Sequence, residues 1–162
     1  MKLIEISVFR PEHASRFTEL NRRWLDEYNL MEPSEEGQLA DPQAHFVDCG
    51  GQIFVALDGD HVIGTSAVVP HGFEEFELAK LTVSSEFRGQ GVARRLVGRC
   101  IAYARERGAR RVVLLSNSQL QAALRLYESL GFTYCAVPES AQYESADVCM
   151  ELSLQPTEPA DA

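Results

Sequence analysis

The stretch from Glu77 to Val97, ELAKLTVSSEFRGQGVARRLV, runs an apolar strand into a short loop, passes Arg88-Gly89-Gln90-Gly91 and starts a helix at once. Glycine loses more conformational freedom on folding than any other residue, so two of them at a strand-to-helix junction imply a local requirement. The first amides of a helix lack intrahelical acceptors and carry partial positive charge, which suits phosphate oxygens. Glycines let a phosphate approach that backbone without a Cβ in the way. Two familiar phosphate loops do not fit. The G-x-x-x-x-G-K-[ST] loop needs a lysine that does not follow here. The dinucleotide fingerprint needs a third glycine where this chain has Arg94, and no acidic residue ends the next strand. What remains is Arg88-x-x-Gly91-x-Ala93.

The elements around this loop follow from hydrophobic periodicity. LIEISVF alternates like a half-buried strand, and residues 13–28 carry Phe17, Leu20, Asn21, Trp24, Leu25 and Tyr28 on one helical stripe. NLMEPSEEGQLADPQ is polar and broken by Pro33, Gly37 and Pro42, and reads as a connection. Asp41-Pro42 then opens a short helix that Gly50-Gly51 ends. QIFVAL and HVIGTSAVV flank the turn Asp58-Gly59-Asp60, and EEFELAKLTV is a third consecutive strand. Val92, Leu96, Val97, Cys100, Ile101 and Ala104 make the next helical stripe, with Gly108 as its C-cap. RRVVLL is a buried strand. SQLQAALRLYESLGF is a helix, expected to open on a capping box of Ser118 and Gln121. FTYCAV and ADVCMELSL are the last strands. The order predicts an α/β fold with one mixed sheet, antiparallel hairpins first and parallel strand-helix-strand units after. Residues 1–154 form one domain, and the tail QPTEPADA, 155–162, reads as disordered.

Composition narrows the function classes. The chain has 162 residues, enough for one domain with a real core, and no repeat or linker interrupts it. A net charge of -9 argues against a nucleic-acid partner, because phosphate binding needs clustered cations. No apolar run approaches the roughly 18 residues of a membrane span, and MKLIEISVFRPEH does not read as a signal peptide. Cys49, Cys100, Cys135 and Cys149 are scattered, as suits free thiols in a reducing cytoplasm. The four histidines show no ligand spacing, so no metal is expected.

LTVSSEFRGQGVARRLV, GARRVVLLSN and ALRLYESLGF together give a strand, loop, helix, strand, helix and closing Gly-Phe in order. In this the chain resembles the GNAT superfamily of N-acetyltransferases, whose pyrophosphate loop is [RQ]-x-x-G-x-[GA]. The likeness is clear from Ile53 to Phe132 and weaker outside. It implies the acyl-CoA N-acyltransferase fold, a single mixed, mostly antiparallel sheet flanked by helices. It also implies acetyl-CoA as cosubstrate. The amides of Arg88, Gly89, Gln90, Gly91, Val92 and Ala93 would hold the pyrophosphate. The backbone of Leu81, Thr82 and Val83 would run beside the pantetheine arm. Arg94 or Arg95 would pair with the ribose phosphate.

The same resemblance implies the chemistry: direct attack of a neutral amine on the thioester, with CoA thiolate leaving. Tyr127, four residues before Gly131-Phe132, matches the family's general acid, and a phenol can donate to a forming thiolate. Glu77, six residues before Val83, matches the glutamate base of some members, with a water chain as the alternative. A backbone N–H of Leu81 or Val83 would hold the oxyanion. One departure stands out: the asparagine many relatives carry seven residues before the tyrosine is Leu120 here. Asn117 either takes over its contact with CoA or caps the helix beside Ser118. Strand alternation puts Glu75, Glu77, Ala79, Leu81 and Val83 on one side.

The acceptor walls implied by the family are the first helices and last strands, which nominates Trp24, Tyr28, Glu32 and Tyr143. Trp24 and Tyr28 also sit on a core stripe. Glu32, Glu35 and Glu36 either meet a cationic amine or form a solvated loop. The expected function is N-acetyl transfer from acetyl-CoA to a primary amine of a small molecule or protein, with a homodimer left open. The alternatives are another acyl-CoA donor and a non-catalytic CoA-binding sensor or interaction module.

Overall fold

The computed structural model describes residues 3–139, 141 and 145–154; the tail expected to be disordered and Tyr143 lie outside them. Seven strands form one sheet: β1 (Ile4–Val8), β2 (Gln52–Asp58), β3 (His61–Pro70), β4 (Glu75–Val83), β5 (Arg111–Ser116), β6 (Thr133–Cys135) and β7 (Val148–Ser153). Their order is β1-β2-β3-β4-β5-β7-β6. The turn between β2 and β3 relies on Gly59, whose φ of +63° is the left-handed region. Among the described residues only β4 and β5 pair in parallel, and every other pair is antiparallel. The second strand-helix-strand unit therefore departs from expectation. Strand β7 inserts between β5 and β6 and bonds both, so those two never become neighbours.

Four helices cover the sheet: α1 (Ala14–Glu27), α2 (Pro33–Ala40), α3 (Val92–Glu106) and α4 (Gln121–Ser129). Phe17, Leu20 and Leu25 of α1 bury against Ile53, Val55 and Ala67 on one face. Leu96, Val97 and Cys100 of α3, with Leu124 and Tyr127 of α4, bury against Phe54, Val68 and Leu78 on the other. Fully burying a side chain such as Phe17 or Leu96 contributes roughly 1.5–3 kcal/mol.

Helix α2 corrects the reading of residues 33–40 as a connection. Pro33 occupies its first turn, where a missing N–H costs nothing, and Glu35 and Leu39 turn inward. Gly37 costs about 1 kcal/mol of helix propensity, which burial of Leu39 offsets. The next segment, Gln43–Val47, is a short π-helical turn whose Ala44 N–H donates to Asp41 Oδ1 at 3.1 Å. The capping box expected at Ser118 does not form. Ser118 donates instead from its N–H and hydroxyl to the Asp147 carboxylate, at 2.8 and 2.7 Å, and Leu120 is the N-cap.

The consequential irregularity is in β4. Ala79 faces Ala67 and Thr82 faces Thr65, so β4 spends three residues where β3 spends two. Lys80 sits in this bulge with φ +57°. The inserted residue reverses the alternation beyond it. Glu75, Glu77, Ala79 and Thr82 share the α1 side, whereas Val83 turns to the α3 side, against the single-sided expectation. Pairing with β5 covers only Glu75–Leu78, after which the two strands part. That parting opens a cleft in the sheet.

Candidate active site

The loop entering α3 has the conformation its glycines predict. Gly89 and Gly91 have φ of +76° and +80°, and a Cβ at either would meet nothing within 4 Å. The glycines are thus required by backbone conformation, and they leave open space above the helix end. Its N-cap, Gly91, has no side chain with which to cap that end, which leaves the first amides open to a ligand. Leu81, Thr82, Val83, Arg88, Gly89, Gly91, Val92, Ala93 and Arg94 line one groove with Trp24, Tyr28 and α4. Arg88 is braced by Nε donating to the Val83 carbonyl at 3.0 Å. The Gln90 side chain folds back toward the Glu86 carbonyl instead of lining the groove. Of the two arginines considered, Arg94 lines the groove and donates to Ser129 Oγ at 2.6 Å. Arg95 lies beside β1 in a separate concavity.

A second cavity meets the groove at Trp24, Leu81, Leu120 and Ala123. It brings together Glu77, Asn117 and Tyr127, which stand far apart in sequence, and adds Asn21, Glu35 and Lys80. Tyr127 is buried, its ring 5.7 Å from that of Phe132, and burial pushes its phenol above the ordinary value. Glu77 is buried at 6% exposure. Burial raises its carboxyl above the usual carboxylate range, opposed by the charges of His71 and Lys80. Glu77 also lines a separate concavity with His71, Glu75 and Arg111, so it stands between two spaces.

Asn117 lines the cavity with both ends of its amide engaged. Its Nδ2 donates to the Ser145 carbonyl at 2.7 Å, and its Oδ1 accepts from the Gln119 N–H at 3.0 Å. Of the acceptor-wall candidates, Trp24 stands where groove and cavity meet, and Tyr28 lines the groove alone. Their ring centroids lie 5.2 Å apart, with the planes tilted by 55°. Glu32 accepts from Ser145 Oγ at 2.8 Å.

Sequence reasoning missed the ion pair between Lys80 and Glu35. Both side chains are almost fully buried, and the pair ties α2 to the bulge. Desolvation lowers the Lys80 pKa, opposed mainly by Glu35. The signal was a lone lysine inside the apolar run ELAKLTV, but only α2 supplies its partner. The scattered cysteines also converge in part: β6 and β7 bring Cys135 Sγ and Cys149 Sγ to 2.9 Å, both free thiols. Among the described residues, no group of three or more His, Cys, Asp or Glu could hold a metal ion. No helix among them is long and apolar enough to cross a membrane.

The acetyltransferase (GNAT) family model matches residues 16–132, and the chain belongs to that family. It is 32% identical over 114 residues to N-acetyltransferase family 8 member 2 of Rattus norvegicus, covering 67% of this chain and 50% of that one. It is 39% identical over 88 residues to N-acetyltransferase 8 of Mus musculus, covering 51% and 39%. The chain thus spans about half the length of these relatives or less. A GNAT-family acetyltransferase from Staphylococcus aureus Mu50 superposes with TM-score 0.87 at 17% identity, covering 94% of this chain and 100% of that one. The structure of yncA from Salmonella typhimurium, determined with its cofactor acetyl-CoA, superposes with TM-score 0.77 at 24% identity and 98% coverage of both. At such identities the superpositions establish the fold.

Proposed function

We propose that this chain is an N-acetyltransferase that moves the acetyl group of acetyl-CoA directly to a primary amine. The observation that carries the reading is the continuity of the groove beneath the Arg88–Arg94 loop with the cavity holding Glu77 and Tyr127. The residues present fit the donor. Left-handed Gly89 and Gly91 leave room for a pyrophosphate over the uncapped start of α3, and the cleft between β4 and β5 accommodates an extended arm beside Leu81–Val83.

In the transfer, the acceptor ammonium first loses a proton. Glu77, with its carboxyl made more basic by burial, accepts that proton directly or through water. The free amine forms the C–N bond as the thioester oxygen gains charge. The Leu81 N–H is the donor best placed for that oxygen. Its peptide follows the bulge at Lys80, at the meeting of groove and cavity, and β4 has there parted from β5. The C–S bond then breaks, Tyr127 donates its hydroxyl proton toward the sulfur, and the proton shed by the acylated nitrogen restores the phenol through solvent. Burial raises the phenol, and the same surroundings disfavour a free thiolate, which favours protonation of the sulfur as it leaves. In this reading Asn117 shapes the cavity wall by holding Ser145, and Arg94 meets the ribose phosphate.

The test follows release of free CoA thiol from acetyl-CoA over a panel of polyamines, amino acids, aminoglycosides and lysine peptides. Turnover with one class, lowered about 10-fold or more in Tyr127→Phe, is expected. Acetyl-CoA binding with no turnover on any acceptor would favour the sensor alternative, and no binding would overturn the donor assignment.

A further inference from the structure

Something must hold the bulge of β4 in place, because Lys80 is a side-chain-bearing residue in left-handed conformation and β5 no longer supports it. Beside the Glu35 ion pair from α2, support comes from β3 and α1. Thr65 Oγ1 donates to the Lys80 carbonyl oxygen at 2.7 Å. Thr65 Oγ1 in turn accepts from Asn21 Nδ2 at 3.1 Å, and the same nitrogen donates to the Phe17 carbonyl at 2.9 Å. Thr65 is 0% exposed and Asn21 2%, so water does not compete for these groups.

The direction of this grip matters more than its strength. The Lys80–Leu81 peptide is trans, so its C=O and N–H point in opposite directions. With its oxygen drawn to Thr65 on β3, that peptide turns its N–H away from β3, toward the cleft left by β5. Rotated the other way, the peptide would present a carbonyl oxygen to the cleft and repel developing negative charge. We infer that Thr65, anchored by Asn21, is a positioning residue for acyl transfer: by gripping the Lys80 carbonyl it aims the Leu81 N–H at the thioester oxygen. This rests on the acetyl-transfer reading above. A threonine inside HVIGTSAVV and an asparagine on the apolar stripe of α1 thereby acquire a shared task.

Thr65→Val keeps the side-chain shape and removes the hydroxyl; Thr65→Ser keeps the hydroxyl. Turnover is measured with the fastest amine of the panel and, independently of any acceptor, as acetyl-CoA hydrolysis. Removing an oxyanion donor outright costs about 10²–10³ in kcat, so misdirecting one through Thr65→Val is expected to cost at least about 10-fold. The acetyl-CoA Kd measured by calorimetry stays within about 3-fold of wild type, because the pyrophosphate loop is untouched. The loss is the same factor from about pH 6.5 to 9.5, since no titrating group has changed, and Thr65→Ser restores most of it. Wild-type kcat in Thr65→Val overturns the inference while leaving acetyl transfer intact. So does a loss matched by weakened acetyl-CoA binding, or by the same loss in Thr65→Ser. A wild-type protein that releases no thiol with any acceptor or with water refutes the acetyl-transfer reading, and this inference with it.

Discussion

Gly91 separates the cost of a strained backbone from the cost of a blocked phosphate site. At φ +80° a side chain in left-handed conformation costs about 1–2 kcal/mol, part of which is offset because the unfolded chain also loses freedom. A Cβ there meets no protein atom within 4 Å, so no clash adds to this. Gly91→Ala should therefore destabilise the free protein by about 1 kcal/mol, lowering Tm by about 2–4 °C for a chain of this size. Acetyl-CoA at about 100 times Kd should stabilise wild type by about 2.7 kcal/mol, raising Tm by roughly 5–11 °C. Gly91→Glu carries the same backbone strain but puts a carboxylate where the pyrophosphate would lie. If that weakens binding about 100-fold, the same ligand concentration yields only about 0.4 kcal/mol, a shift under about 2 °C. Gly98 is the internal control: it lies within α3, and a Cβ there also meets nothing. Gly98→Ala should raise the free-protein Tm through about 0.5–1 kcal/mol and leave the ligand shift unchanged. Differential scanning fluorimetry of the four proteins, with and without acetyl-CoA, reads both quantities. A full ligand shift in Gly91→Glu would refute the placement of the phosphate.

Three further outcomes are expected. Tyr127→Phe keeps the ring packed on Phe132 and removes only the proton donor. Its kcat should fall about 10-fold or more with acetyl-CoA affinity nearly intact, and equal turnover would leave Tyr127 a packing residue. Glu77 must be ionised to act as base and burial raises its carboxyl, so activity should climb with pH along a limb lying above the ordinary carboxylate value. In Glu77→Gln that limb should vanish, leaving the acceptor amine's own; an unchanged profile would move the base elsewhere. Lys80→Met leaves the Glu35 carboxylate buried without its partner and should cost about 3–5 kcal/mol in a urea titration. The double variant with Glu35→Leu should recover most of that loss, and additive losses would show that the ion pair is not what couples the two sites.

How far the sequence alone reached can be judged at particular residues. Gly89 and Gly91 were legible because a positive φ and free helix amides are local demands, written into neighbouring residues. The stripes of α1 and α3 were legible because period 3.6 reports which face is buried. The family resemblance nominated Tyr127 and Glu77 one at a time, by their places relative to Gly131 and Val83, but that they line one cavity depends on where β4 and α4 lie in the assembled sheet. Tertiary structure alone decided the rest. The bulge at Lys80 arises from a mismatch between β3 and β4, and it sends Val83 to the opposite face from Glu77. Ser118 gave up its cap to Asp147, a partner 29 positions away. The 33–40 segment became helix because Glu35 and Leu39 found Lys80 and a core to bury against. Local conformation is set by each residue's own sterics and its near neighbours, whereas register, strand insertion and buried charge pairing are set by what packs across the fold.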